Sequence, residues 1–162
     1  TRSKASGYAN MVNYLTVQDI LWIHLQLCKR VEPFDYAKLE DATFLQYGYG
    51  RSVNLEEQAA KFLHGFSRHM PFENGNEAVA FVGAMAFLGI NGREFALGDA
   101  DGAKWAKECF NSASQAAHDV KTRCQTTHDH HEVPVKEAIE MVIERFPKTI
   151  KGLLGAVAAS SR

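Results

Sequence analysis

Apolar residues return at helical spacing along nearly the whole chain. Thr16 followed by Asp19 has the form of an N-terminal cap with an acidic first turn, and Ile20, Ile23, Leu27 and Val31 then share one face until Pro33. A shorter helix is predicted from Tyr36 to Gln46, broken by "YGYGRS". Asn54 and Glu57 have capping-box spacing, and Ala59, Phe62, Leu63 and Phe66 carry an apolar stripe on to about Arg68.

Glu77–Leu88 is different, because it is apolar almost all round. The interruptions in this run are small: Ala78, Ala80, Gly83, Ala84 and Ala86. A helix without a polar face belongs in the middle of a bundle, and small residues let its neighbours come close. Asn91-Gly92 ends it with residues that tolerate left-handed geometry. Asp99 or Asp101 is expected to cap the next helix, which carries Trp105, Cys109 and Phe110 past Ala117. Pro134 is expected as a first helical residue ahead of Ile139, Val142, Ile143 and Phe146. A last helix is predicted over Thr149–Ala158, with Ile150, Leu153, Leu154 and Val157 inward. The fold expected is all-α, a single domain over residues 14–162 with about six to eight helices.

Composition narrows the function. Of 162 residues 46% are hydrophobic and 23% charged, as in a globular protein, and the net charge of −1 gives no pull toward nucleic acid or anionic lipid. Cys28, Cys109 and Cys124 are an odd number without regular spacing, which predicts buried thiols and a cytoplasmic location. No run is apolar enough to span a membrane. Residues 1–13 are polar at their start and are expected to form a flexible arm, or an expression remnant ahead of Met11.

Chemistry concentrates in the turn before the central helix, "HMPFENGNEA", His69–Ala78. Free N–H groups at a helix start attract anions, and Gly75 lets a phosphate come near the backbone. Glu73 and Glu77 oppose this, since they put two negative charges at the mouth and no Lys or Arg lies between Arg68 and Arg93. Glu77 can itself serve the helix dipole in place of a phosphate.

The turn resembles the core motif of the Fic/Doc family, in its Doc (death-on-curing) branch, H-P-F-x-D-G-N-K-R or H-x-F-x-[DE]-G-N-G-R. The likeness extends along about Tyr14–Phe110. "YLTVQDILWIHLQL" is similar to the family's first helix, "KLEDA" to its Leu-Glu-x-Ala segment, "EEQAAKFLHGFSRHMPF" to the helix entering the motif, and "AFLGING" to the exit of the core helix. The resemblance implies a helical bundle with a central buried helix and additional C-terminal helices.

Pro71, Phe72, Gly75 and Asn76 match the motif. The family's catalytic histidine position holds Met70, with His69 one residue early; its metal-binding acid falls on Asn74, the residue after its Asn on Glu77, and its phosphate-binding Arg on Ala78. A thioether cannot accept a proton at neutral pH, and moving His69 into register means undoing a helical step of about 100°. Asn74 offers Mg²⁺ no charge, Ala78 offers no phosphate clamp, and Glu77 repels a triphosphate. The resemblance thus implies a degenerate, non-catalytic Fic/Doc protein acting as a protein-binding or regulatory module. Its expected partner is a protein, an antitoxin or a second copy of itself, with no nucleic acid, no membrane and no cofactor. The alternative is a toxin–antitoxin type transferase moving AMP or phosphate from a nucleotide to a protein hydroxyl. There His69 is the candidate base, Gly75 and Asn76 meet the phosphate, and ATP with Mg²⁺ is required.

Other groups carry less. His128, His130 and His131 in "THDHHEV" are metal-ligand types without a known zinc spacing, ahead of Pro134 where a polar loop is expected. His24 and His64 are expected as packed, hydrogen-bonded side chains. Trp22 and Trp105 are expected in the core or an interface. Cys109 and Cys124 have no neighbouring base in sequence.

Overall fold

The computed structural model describes residues 12–48, 54–126 and 133–160, with the side chains of 156–160 left aside. Most of residues 1–13, the YGYGRS break beyond Gly48, the histidines 128, 130 and 131 and the Val157 side chain therefore lie outside the described residues. Asn13 does not behave as part of a free arm. Its N–H donates to Asn91 Oδ1 at 2.8 Å and its Nδ2 to the Ile90 carbonyl at 3.0 Å, tying the entering chain to the end of the central helix.

Helix α1 spans Val17–Cys28. Thr16 and Asp19 close a reciprocal capping box, each side chain accepting from the other's backbone N–H at 3.1 and 2.8 Å. The helix stops well before Pro33. Lys29 turns left-handed at φ 63° and its N–H closes on the Leu25 carbonyl, so Val31 leaves the apolar face and stands 82% exposed. Helix α2 covers Tyr36–Thr43 and tightens into a 3₁₀ turn at Phe44–Gln46. Helix α3 covers Leu55–His69. Asn54 accepts from Glu57 N as its spacing predicts, but the return bond to Asn54 N comes from Gln58 Oε1 rather than from Glu57.

Helix α4, Asn76–Ile90, is buried everywhere except at Glu77 and Gly89. It packs against α1 and α3 and against the last two helices, Val135–Arg145 and Pro147–Ser160. A Cβ on Gly83 would come within 2.7 Å of Phe62 Cε1, so the small residue sets how near α3 can lie. Each fully buried Val, Leu or Phe on this helix contributes about 1.5–3 kcal/mol relative to exposure. This apolar post fixes where the turn at its N-terminus sits.

Beyond α4 the all-α expectation holds, with a short strand pair added to it. Arg93–Phe95 (β1) pairs antiparallel with Cys124–Thr126 (β2), Arg93 opposite Thr126 and Phe95 opposite Cys124. Three residues are too few for period-two alternation to show in a sequence. The helix expected to run past Ala117 is two helices, α5 (Gly102–Asn111) and α6 (Ala113–Arg123). Ser112 is extended between them and its side chain accepts from Gln115 N, capping α6. Asp101 occupies the cap position of α5 without a side-chain bond.

Asp99 caps a distant helix instead. Helix α7 spans Val135–Arg145, one residue after Pro134, and α8 spans Pro147–Ser160, opening two residues earlier than predicted. Asp99 accepts from Lys148 N and Thr149 N at 3.0 and 2.9 Å. Among the described residues the chain is mostly helical with one short ribbon, and no helix is long and apolar enough to cross a membrane.

Candidate functional site

The turn between α3 and α4 carries most of the chemistry that the sequence singles out. Met70 ends α3 in the left-handed region at φ 50°, its N–H reaching the Phe66 carbonyl at 3.3 Å. This conformation costs a residue with a Cβ roughly 1–2 kcal/mol. The Met70 side chain is 58% exposed. His69 is still helical, and its Nδ1 lies 3.0 Å from the Gly65 carbonyl one turn back, donating to it.

The rest of the turn is tied down from three directions. Asp35 N donates to the Pro71 carbonyl, and Phe34 and Phe72 form an antiparallel bridge. The Asn76 amide closes the loop on itself, accepting from Phe72 N at 3.0 Å and donating to Phe72 O at 2.7 Å. The Asn74 carbonyl accepts from His24 Nε2 at 3.1 Å.

Gly75 has φ 82°, which a residue with a Cβ rarely adopts. The face where that Cβ would sit is filled, with Cys28 Sγ 2.8 Å and Leu154 Cδ2 3.7 Å from its position. Ala78 is fully buried, Glu77 half-buried and Glu73 exposed. The turn therefore gathers Met70, Asn74, Gly75, Asn76 and Ala78, with His69 a helical step away. Its amide and glycine are committed to contacts within the protein.

Directly beneath lies a group of three side chains. His24, on α1, is buried and stacks on Phe72 with ring centres 4.0 Å apart and planes 18° off parallel. Cys28 sits one turn later on the same helix. Glu32 folds back to it after the left-handed Lys29, and its side chain is 5% exposed. A ring nitrogen of His24, Cys28 Sγ and a Glu32 oxygen all lie within 4.8 Å of one another. Arg30 Nε holds Glu32 Oε2 at 2.8 Å. Glu32 Oε1, 3.5 Å from His24 Nε2, has no hydrogen-bond partner, because the ring N–H is directed to Asn74 O.

Burial pushes the His24 pKa below its ordinary value, and the Asn74 carbonyl and Glu32 offset this only in part. The ring is therefore neutral at physiological pH, and its approach to Glu32 is not an ion pair. Burial, aided by Glu32, pushes the Cys28 thiol up, against the pull of Arg30. His24 is the packed, hydrogen-bonded histidine that the sequence predicts. Cys28 and Glu32 were missed as its companions, although the spacing H-x₃-C-x₃-E was there to read.

The remaining candidates are structural. His64 Nδ1 pairs with the Cys109 carbonyl at 3.0 Å. Burial, with Asp119 and Glu108 adding to it, pushes Cys109 up to about 12; burial, with Glu56 adding to it, pushes Cys124 up to about 11. Neither is a thiolate nucleophile at neutral pH. Trp105 is buried against Phe95, while Trp22 is half-buried under Lys136 Nζ at 5.5 Å. Comparison of the chain with protein-family models, with curated proteins and with solved structures gives no match.

Proposed function

We propose that the chain is a degenerate Fic/Doc-fold protein, non-catalytic at the family's reactive turn, that works as a protein-binding or regulatory module in the cytoplasm. The observation that carries this reading is the exit of α3. The side chain at the family's base position is an exposed methionine thioether, and the neighbouring His69 ring is bonded back to its own helix. Proton abstraction from a target hydroxyl needs an imidazole or carboxylate within hydrogen-bond reach of it.

Three further features support the same view. The position of the family's phosphate clamp is a fully buried alanine, the Asn76 amide is spent on Phe72, and the Gly75 face is packed against Cys28 and Leu154. Losing base, metal ligand and clamp together removes the electrostatic stabilisation that phosphoryl or nucleotidyl transfer depends on. Exposed Val31, Phe34 and Tyr36, close in sequence and beside the turn through the Phe34–Phe72 bridge, support a role exercised through surface contacts.

The test is incubation with ATP labelled on its α- or γ-phosphate, with Mg²⁺ and a cell lysate. No label should pass to protein from either position. Transfer that disappears in His69→Ala overturns the proposal in favour of the transferase.

A further inference from the structure

Among the described residues two buried side-chain polar atoms lack a hydrogen-bond partner, Glu32 Oε1 and Trp105 Nε1. The indole N–H is a weak neutral donor. The carboxylate oxygen is the more telling of the two, because burying part of a charge without a partner is costlier than burying a neutral donor. Glu32 Oε1 lies 3.5 Å from His24 Nε2, and a carboxylate oxygen of Glu32, a ring nitrogen of His24 and the Cys28 sulfur lie within 4.8 Å of one another. These three donors, one nitrogen, one sulfur and one oxygen, are the set that a borderline-soft divalent cation takes.

We propose that His24, Cys28 and Glu32 bind a single transition-metal dication of the Zn²⁺ class, which clamps the end of α1 to the turn before α4. Bonds of about 2.0–2.3 Å put the donor atoms of a tetrahedral zinc site about 3.3–3.8 Å apart. His24 Nε2 and Glu32 Oε1 are at 3.5 Å, and all three donors lie within 4.8 Å. The Asn74 carbonyl oxygen, 3.1 Å from His24 Nε2, is turned toward the same nitrogen and can complete the shell. Four protein donors with no open position are the form of a structural site.

The charges and protons balance. Thiolate and carboxylate together neutralise the dication, which suits a buried place. Binding sends the Cys28 thiol proton to solvent and shifts the imidazole proton from Nε2 to Nδ1, freeing the Nε2 lone pair. Arg30 on Glu32 Oε2 and Phe72 stacked on His24 already hold two of the ligands in orientation. A groove of about 350 Å³, lined by Trp22, Leu25, Val31 and Phe34 with His24 and Glu32, gives the ion a way in. A nucleophilic role for Cys28 fits less well, because its sulfur is covered by Gly75 and its thiol pKa is raised. At the family's reactive positions the clamp uses no side chain, only the backbone carbonyl of Asn74, so it stands or falls apart from the non-catalytic reading.

The test uses the full chain, stripped with a chelator and titrated with Zn²⁺ by calorimetry and with Co²⁺ by absorption. One equivalent should bind, raise the melting temperature and, with Co²⁺, give a thiolate charge-transfer band. Cys28→Ser should abolish that band, and the near-isosteric Glu32→Gln should weaken Zn²⁺ binding at least tenfold. A triple change of His128, His130 and His131 to Ala should leave the binding intact. Circular dichroism of each metal-free variant separates lost binding from lost folding, and Glu32→Gln serves where Cys28→Ser does not fold. Absence of binding in the parent chain overturns the proposal. So does binding that survives both Cys28→Ser and Glu32→Gln, or that is lost with the three histidines.

Discussion

The two ends of helix α1 meet buried polar groups in opposite ways. At its start, Gln46 is wholly buried, yet every arm of its amide is used. Its Oε1 accepts from Leu15 N at 2.7 Å, and its Nε2 donates to the Leu15 and Thr43 carbonyls at 2.7 and 2.8 Å. Gln58 extends the network by donating to the Gln46 carbonyl at 3.0 Å and accepting from Asn54 N at 3.2 Å. At the other end, His24, Cys28 and Glu32 are all ionisable, and one carboxylate oxygen is left over. The first junction is neutral, saturated and complete as a piece of architecture. The second is assembled but unfinished, which is the state of a ligand set rather than of a core.

Substitutions can break this contrast. The largest effect belongs at the saturated end. Gln46→Leu strands the Leu15 N–H and carbonyl in the core and should cost about 3 kcal/mol, read as a lower urea midpoint with an unchanged slope. A loss near zero would mean that water replaces the amide and that the junction is not closed.

Next comes the Asp99 junction, which is also satisfied but nearer solvent. Asp99→Ala removes the cap of α8 and should cost about 1–2 kcal/mol in the same assay. Partial burial raises the Asp99 pKa, but the Thr149 and Lys148 N–H groups outweigh it and hold the carboxyl below its usual range. The folded value being depressed, this stabilisation is present above the ordinary carboxylate range and is lost as the pH falls through the folded value. The gap between wild type and Asp99→Ala should therefore narrow on acidification below about pH 4.

The unfinished end should respond less than either of these when no metal is present. Glu32→Leu gives up the Arg30 contact but also removes an unpaired buried oxygen, so stability should change by less than about 1 kcal/mol in either direction. A loss as large as that of Gln46→Leu would make Glu32 a structural residue and erase the contrast. Smallest of all, Val31→Asp should lie within about 0.5 kcal/mol, since Val31 is 82% exposed and off the helix.

What the sequence made legible follows the same physics. The central helix could be read because the apolar run Glu77–Leu88 leaves no alternative but burial, and the helix Asn76–Ile90 contains it. The cap at Thr16 is a local bond and was equally plain. Three features were hidden because they depend on the folded arrangement. Asp99 caps a helix start 49 residues on, an interaction that spacing cannot announce. The β1–β2 ribbon is too short to show alternation. Glu32 reaches His24 only because Lys29, a residue with no special claim to it, turns left-handed. At the turn itself the residue types were legible, while their engagement was not. That Asn76 spends its amide on Phe72, and that Cys28 and Leu154 fill the Gly75 face, follows from which helices pack there.

The central proposal is that the turn before α4 is closed and takes no nucleotide. Its most direct measurement is an NMR titration of the labelled chain with ATP and Mg²⁺, following the amides of residues 69–78. Those signals should stay in place up to millimolar nucleotide. Progressive, saturable shifts centred on Gly75, Asn76 and Glu77 would contradict it, and would mean that the turn opens to a phosphate after all.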